Sequence, residues 1–399
     1  MINDLIVGLI LLICTGVGKV IYDNRMKIIR FLKRSWYYVF PSNFNIAISI
    51  SFRDGLNSGD YYQEIKNNLL NILSKNNLEN VIKIRDLSDV VKFNSKEEAQ
   101  RYRNEKELDL IIWGSFSVDN LKRNGRNVSK LDLKFTFAHP DDETGNLGKM
   151  IHSDIQSNLA IKKYWEVAEE NSKQDTEVLS NNMFDCSMYI VALTVKLFGD
   201  VSKSTQLFEA LYQELERRND IEFKNRVKPH LLNCYEIVVL NSSFNKNYKQ
   251  IIEYSEKYLK ISPNSPSAIA SMAFGRFNIG EKEESKILVE ELNKVAPRSP
   301  LTLVDTAFFR ILEKKYDEAL SCYKEVLKVN LLNFTPLSVV EFLSENYKIY
   351  KDPALLFGSG IMSLCSGDKE LAKKDFQEFI RIANKSEYKE MVDFAKTKI

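Results

Sequence analysis

Apolar residues recur with helical spacing through most of the second half of the chain and alternate in strand fashion in a short stretch of the first. Leu5–Tyr22 (LIVGLILLICTGVGKVIY) is an apolar run broken by one charge, Lys19. A helix of that length spans roughly 27 Å, close to the hydrocarbon thickness of a bilayer. After Pro41, Phe44–Phe52 alternates like a strand, and Ile65, Leu69, Ile72 and Leu73 have helical spacing, which predicts a helix over 61–76. Val81–Leu87 reads as a strand. Ser95 followed by Glu98 is a capping-box start for a polar helix to Glu107. Leu108–Phe116 and Leu131–Ala138 read as two further strands. The order β-α-β-α-β-β predicts a small α/β sandwich domain over 41–149.

From about residue 185 the spacing becomes periodic. Counted from Leu232, Pro266 and Pro300, equivalent positions return every 34 residues. A small or apolar site gives Val239, Ala273 and Ala307, and the position before the second helix gives Lys246, Gly280 and Lys314. The next small site gives Ile251, Ser285 and Ala319, and the position after it Ser255, Val289 and Tyr323. Pro263 and Pro297 close two of the units, and Leu331 stands there in the third. Asp185–Arg218 and Pro353–Ser386 fit as two more units, with 219–231 expected as an insertion and 334–352 as one extra helix. Residues 150–184 are expected to form a bridging helix, and 388–399 a tail or capping helix.

This pattern resembles the tetratricopeptide (TPR) repeat, and Tyr248-Lys-Gln-Ile and Tyr316-Asp-Glu-Ala match that family's Tyr-x-x-Ala turn. The resemblance implies an α-solenoid over 185–387, whose concave groove holds a peptide or helix of a partner protein. In the phase above, the groove positions are Glu236, Leu240, Phe244, Ala270, Phe274, Phe277, Val304, Phe308 and Ile311. That apolar and aromatic set suits an amphipathic or hydrophobic helix better than an acidic tail, which would want Lys and Arg.

Charge changes the picture at the amino end. The net charge is +2, yet residues 1–40 hold six Lys or Arg against two Asp. Arg25, Lys27, Arg30, Lys33 and Arg34 follow the apolar run, and Trp36 follows them. With Leu5, Ile6, Leu9, Leu12, Ile13 and Val17 inside it, the segment reads as a transmembrane helix with a basic collar over 1–40. The expected localisation is single-pass, with the amino terminus outside and the bulk of the chain cytoplasmic. A signal peptide would need positive charge before the run, and a buried core helix is the third reading. The five cysteines include no CxxC pair, so neither a zinc site nor a disulfide framework is indicated. Elsewhere Lys and Glu are interspersed, as on solvated helix faces, which argues against nucleic acid. Only 24 residues are Gly or Pro, in keeping with long helices.

Two short segments carry further resemblances. Asp109-Leu-Ile-Ile-Trp-Gly-Ser115 resembles the apolar strand of the small amino-terminal domain of TolB and FlgO-like envelope proteins, which implies a binding or assembly module. Ala138-His-Pro-Asp-Asp-Glu143 is similar to the motif of the LmbE-like N-acetylglucosamine deacetylases. That likeness implies His139 and Asp142 as zinc ligands and Asp141 as general base. Turn chemistry of Pro-Asp-Asp-Glu-Thr-Gly accounts for the same residues without metal.

The expected fold class is thus α+β, mostly α: a transmembrane helix, a small α/β sandwich and a TPR solenoid. The expected function is a membrane-anchored adaptor or scaffold without catalysis, cofactor or metal. The alternatives are a zinc-dependent hydrolase and a membrane-acting effector or sensor regulated by a partner on the repeats.

Overall fold

The computed structural model describes residues 44–52, 58–75, 78–80, 82–85, 92–108, 110–123, 126–137, 164–166, 172–197, 200–329, 336–383 and 386–399. The chain divides into two compact units, 1–234 and 235–399.

In the first unit, strand β1 (Phe44–Phe52) leads through helix α1 (Ser58–Lys75) to β2 (Ile82–Arg85), and then through α2 (Lys96–Glu105) to β3 (Leu110–Arg123). A hairpin joins β3 to β4 (Arg126–Phe137), and β5 (Tyr164–Glu166) adds to the far edge. The sheet order is β2-β1-β3-β4-β5, with the first three strands parallel and the last two pairings antiparallel. Parallel neighbours need a crossover, and α1 and α2 supply the two. The Ser95 hydroxyl accepts from the Glu98 amide at 3.2 Å, and the Glu98 carboxylate accepts from the Asn94 amide at 2.9 Å, so the capping motif starts α2 as expected. Ile111, Ile112 and Trp113 lie buried in the central strand, with the Trp113 indole N–H donating to Thr136 Oγ1 at 2.9 Å.

The β3–β4 hairpin is longer than its apolar alternation suggested. Ser117–Arg123 and Arg126–Lys130, mostly polar, continue the ladder across a register shift between Asp119 and Lys122, because backbone pairing needs no apolar face. Of the span 150–184, expected as a bridging helix, only 164–166 and 172–184 are among the described residues. Tyr164, Trp165 and Glu166 pair with Lys130, Ser129 and Val128, in keeping with the strand preference of aromatic residues, and a helix covers Ser172–Leu197.

That helix, α3 (Ser172–Leu197), pairs with α4 (Val201–Arg217). Asp200 caps α4 by accepting from the Lys203 amide at 3.0 Å. Lys75 at the end of α1 reaches Glu214 on α4 at 3.1 Å, and Asp185 on α3 pairs with Arg218. Residues 219–231, expected as an insertion, instead begin helix α5 (Ile221–Phe244), which runs on into the second unit.

The second unit is helical. After α5 come α6 (Tyr248–Ile261), α7 (Pro266–Asn278), α8 (Lys282–Val295), α9 (Pro300–Leu312) and α10 (Tyr316–Val326). Then follow α11 (Pro336–Tyr350), α12 (Ala354–Ser366), α13 (Lys369–Ile382) and α14 (Lys389–Lys396). The second helices start at Tyr248, Lys282 and Tyr316, and the first helices of the last two pairs at Pro266 and Pro300, so the 34-residue spacing is physical. It reaches the backbone: Lys246, Gly280 and Lys314 all adopt positive φ (53°, 95° and 60°), which ends the first helix of each pair and turns the chain into the second. Close approach within a pair is sealed the same way twice. The Ser285 hydroxyl donates to the Ala273 carbonyl at 2.7 Å, and in the first unit the Ser204 hydroxyl donates to the Ala192 carbonyl at 2.8 Å. Gly360 takes the Ala273 role in the α12–α13 pair, where a Cβ would come within 2.7 Å of the Phe376 ring.

The membrane assignment is corrected. Among the described residues no helix is long and apolar enough to cross a bilayer, so a single-pass membrane localisation is not supported. The long helices are charged along their length, as in α3 with Asp185 and Lys196, and the apolar α12 is only 13 residues. The segment on which that assignment rested, with Leu5, Ile6, Leu9, Leu12, Ile13, Val17, Arg25, Lys27, Arg30, Lys33, Arg34 and Trp36, lies outside the described residues.

Candidate functional site

Three successive first helices turn one face each toward a common cleft of about 680 Å³ in the second unit. From α9 the cleft receives Leu301, Val304, Asp305 and Phe308, the i, i+3, i+4, i+7 spacing of one helical face. From α7 it receives Ala270, Phe274 and Phe277, and from α5 Glu236, Val239 and Leu240. Tyr258 on α6 lies at the rim, its hydroxyl donating to Glu236 Oε1 at 3.2 Å.

Helix α11 supplies the remaining wall. Val339, Phe342 and Leu343 line the cleft, and the Phe342 ring lies 4.9 Å from that of Phe308, 5.4 Å from Phe274 and 6.0 Å from Phe277. Phe277 and Phe308 themselves meet edge to face at 5.0 Å. These contacts are in the range of favourable aromatic pairing and make a nearly continuous aromatic floor. Lys246 Nζ reaches Glu345 of α11 at 2.6 Å, a second tie between the extra helix and the repeats.

Of the nine groove positions read from the sequence, Glu236, Leu240, Ala270, Phe274, Phe277, Val304 and Phe308 line the cleft. Phe244 does not; it is 70% exposed at the end of α5. Ile311 does not either: it continues the face of Val304 and Phe308 one turn further along α9, where it is fully buried in the core. Two features were missed. Asp305 is invisible to a search for apolar positions, although its spacing from Leu301 and Phe308 puts it on the same face. Phe342 sits in a helix that the sequence showed to exist but gave no means of docking.

Asp305 is the unusual group. It has no hydrogen-bond or ion-pair partner among the described residues, and the lining residues include Glu236 but no Lys, Arg or His. The side chain keeps some contact with the cleft opening, yet its carboxyl is surrounded by enough protein that burial raises its pKa to about 7.

The residues of the metal-hydrolase resemblance, His139, Asp141 and Asp142, lie outside the described residues. His230 stacks on Phe208 at 5.7 Å and shares a hydrogen bond of 2.9 Å with the Tyr189 hydroxyl. Among the described residues no group of three His, Cys, Asp or Glu side chains is placed to hold a metal.

No protein-family model matches the chain, and no curated protein does. Solved structures similar to it include TTC0263, a TPR protein of Thermus thermophilus, at 12% identity over 54% of this chain and 98% of that one, with a TM-score of 0.27. Human IFIT1, solved as a dimer with PPP-AAAA, matches at 14% over 58% of this chain and 54% of that one (TM-score 0.30). Yeast Tom70 matches at 14% over 85% and 80% (TM-score 0.26). Superpositions this loose do not define a common fold, so the repeat architecture rests on the helix spacing and backbone turns of this chain itself. The TolB and FlgO-like resemblance and the membrane anchor find no counterpart among these matches.

Proposed function

We propose that the chain is a protein-interaction adaptor of TPR type, with a repeat array over 185–387 that binds an apolar peptide or helix of a partner protein in the cleft. One observation carries this reading: three successive first helices and α11 line a single aromatic cleft whose rim residue Leu240 is 49% exposed. A cavity of a few hundred Å³ lined mainly by apolar groups with a few polar ones is the usual form of a binding site.

The test is a selection of random dodecapeptides displayed on phage against the full chain. Enriched peptides are then titrated against wild type and against Leu240→Ser combined with Phe274→Ser, neutral changes at residues that are not fully buried. The expected result is at least about 30-fold weaker binding to the variant, the size of a hot-spot loss, with its circular dichroism unchanged. A selection that enriches nothing, or peptides that bind the variant equally, would contradict the reading.

A further inference from the structure

The unpartnered carboxylate in the cleft has no role in its own fold. Asp305 lies on the same face as Val304 and Phe308, with the aromatic floor of Phe277, Phe308 and Phe342 beside it and Glu236 at the rim. A buried carboxylate without a partner costs stability, and a well-packed apolar residue there would cost nothing of the kind. The surroundings supply acceptors and aromatic faces and no donor of positive charge. That combination is complementary to an ammonium or guanidinium group carried on an apolar stem, which gains both a charge-assisted hydrogen bond and cation–π contact.

From this geometry we infer that the segment bound in the cleft is a peptide that presents a Lys or Arg side chain to Asp305 from within an apolar stretch. The inference rests on the cleft being the peptide site, and it adds the chemistry of the occupant. The long stem of Lys or Arg lies along Phe277 and Phe308 while its head reaches the carboxylate. Glu236, already held by Tyr258, adds a second negative charge at the entrance for a residue further along the peptide.

Ionisation follows the same logic. In the empty cleft the Asp305 carboxyl titrates near 7, and a bound cation holds it ionised. Tyr323 from α10 interacts with the carboxyl, and Glu236 from α5 and Tyr258 from α6 are the other titratable groups of the cleft; burial raises both tyrosines, so neither ionises near neutrality. The cleft-lining residues of α7, α8 and α11 carry no charge. Binding of a cationic peptide therefore releases a proton below pH 7 and strengthens as pH rises.

The experiment sequences the enriched dodecapeptides and titrates one of them against wild type and Asp305→Asn, at pH 6 and pH 8. Enriched sequences should carry Lys or Arg flanked by apolar residues, and replacing that residue by norleucine should weaken binding by about tenfold or more, the size of a lost charge-assisted hydrogen bond. Asp305→Asn should bind the cationic peptide as weakly as wild type binds the norleucine form. Wild-type affinity should rise roughly tenfold from pH 6 to pH 8, following the ionised fraction, and the rise should be absent in Asp305→Asn. Peptides that lack a basic residue, or that bind Asp305→Asn as tightly as wild type, overturn the inference while leaving the cleft as a peptide site. Peptides insensitive to Leu240→Ser with Phe274→Ser overturn the cleft itself.

Discussion

Asp305 should contribute a loss of stability as pH rises toward 7. Its folded pKa of about 7 lies above the ordinary value of 3.8, so its favourable contribution is full below about pH 4 and is lost as pH rises to about 7. Asp305→Asn should therefore flatten the fall in denaturant midpoint between pH 5 and pH 8 and make the chain more stable than wild type at pH 8. Glu313 acts in the opposite sense. Hydrogen bonds from Lys286, Lys315 and Arg310 hold its carboxylate down at about 2, so its contribution is full above about 4.5 and is lost as pH falls toward 2. Lys314 makes a simpler case: an exposed residue held at φ 60° where its period-mates are Gly280 and Lys246. A non-glycine residue in that region costs about 1 kcal/mol, so Lys314→Gly should raise stability by about 0.5–1 kcal/mol in urea unfolding. An unchanged or lower midpoint would contradict the turn geometry.

Single elements differed in how far they could be read in advance. The paired helices were legible because each repeats a fixed set of small residues and turn positions, and Ala273, Ser285 and Gly280 each have a distinct physical job. Strand β1 and helix α2 were legible from alternation and a capping box. The outer halves of β3 and β4 were not, because their sequences are mostly polar and lack an apolar alternation. Helix α11 was legible as a helix, whereas its placement depends on Phe342 meeting Phe274, Phe277 and Phe308, a tertiary match with no local signal. Phe342→Ala should remove these ring contacts and cost about 2 kcal/mol, below the 3–5 kcal/mol of a fully buried aromatic because Phe342 is only half-buried. The urea midpoint checks this, and an unchanged midpoint would mean that α11 does not pack on the repeats as described.

At the scale of the molecule, the chain joins a small mixed sheet and a helix pair in one unit to a run of stacked helices in the other. The cleft belongs entirely to the second unit, and its lining combines aromatic walls with one unpaired carboxylate and no Lys, Arg or His. The candidate groove was legible to the extent that helix phase is legible. Seven of the nine positions line the cleft, while Phe244 stands exposed at the end of α5 and Ile311 is buried one turn beyond Phe308. The central claim is that this face of the first helices is where a peptide binds. The most direct measurement is photo-crosslinking of an enriched dodecapeptide carrying a benzophenone side chain to the full chain, with the attachment sites mapped by mass spectrometry. The account predicts adducts at the cleft mouth, on α5 around Leu240 and on α7 around Phe274. Adducts concentrated instead on the exposed faces of the second helices, around Ile287 on α8, would contradict it.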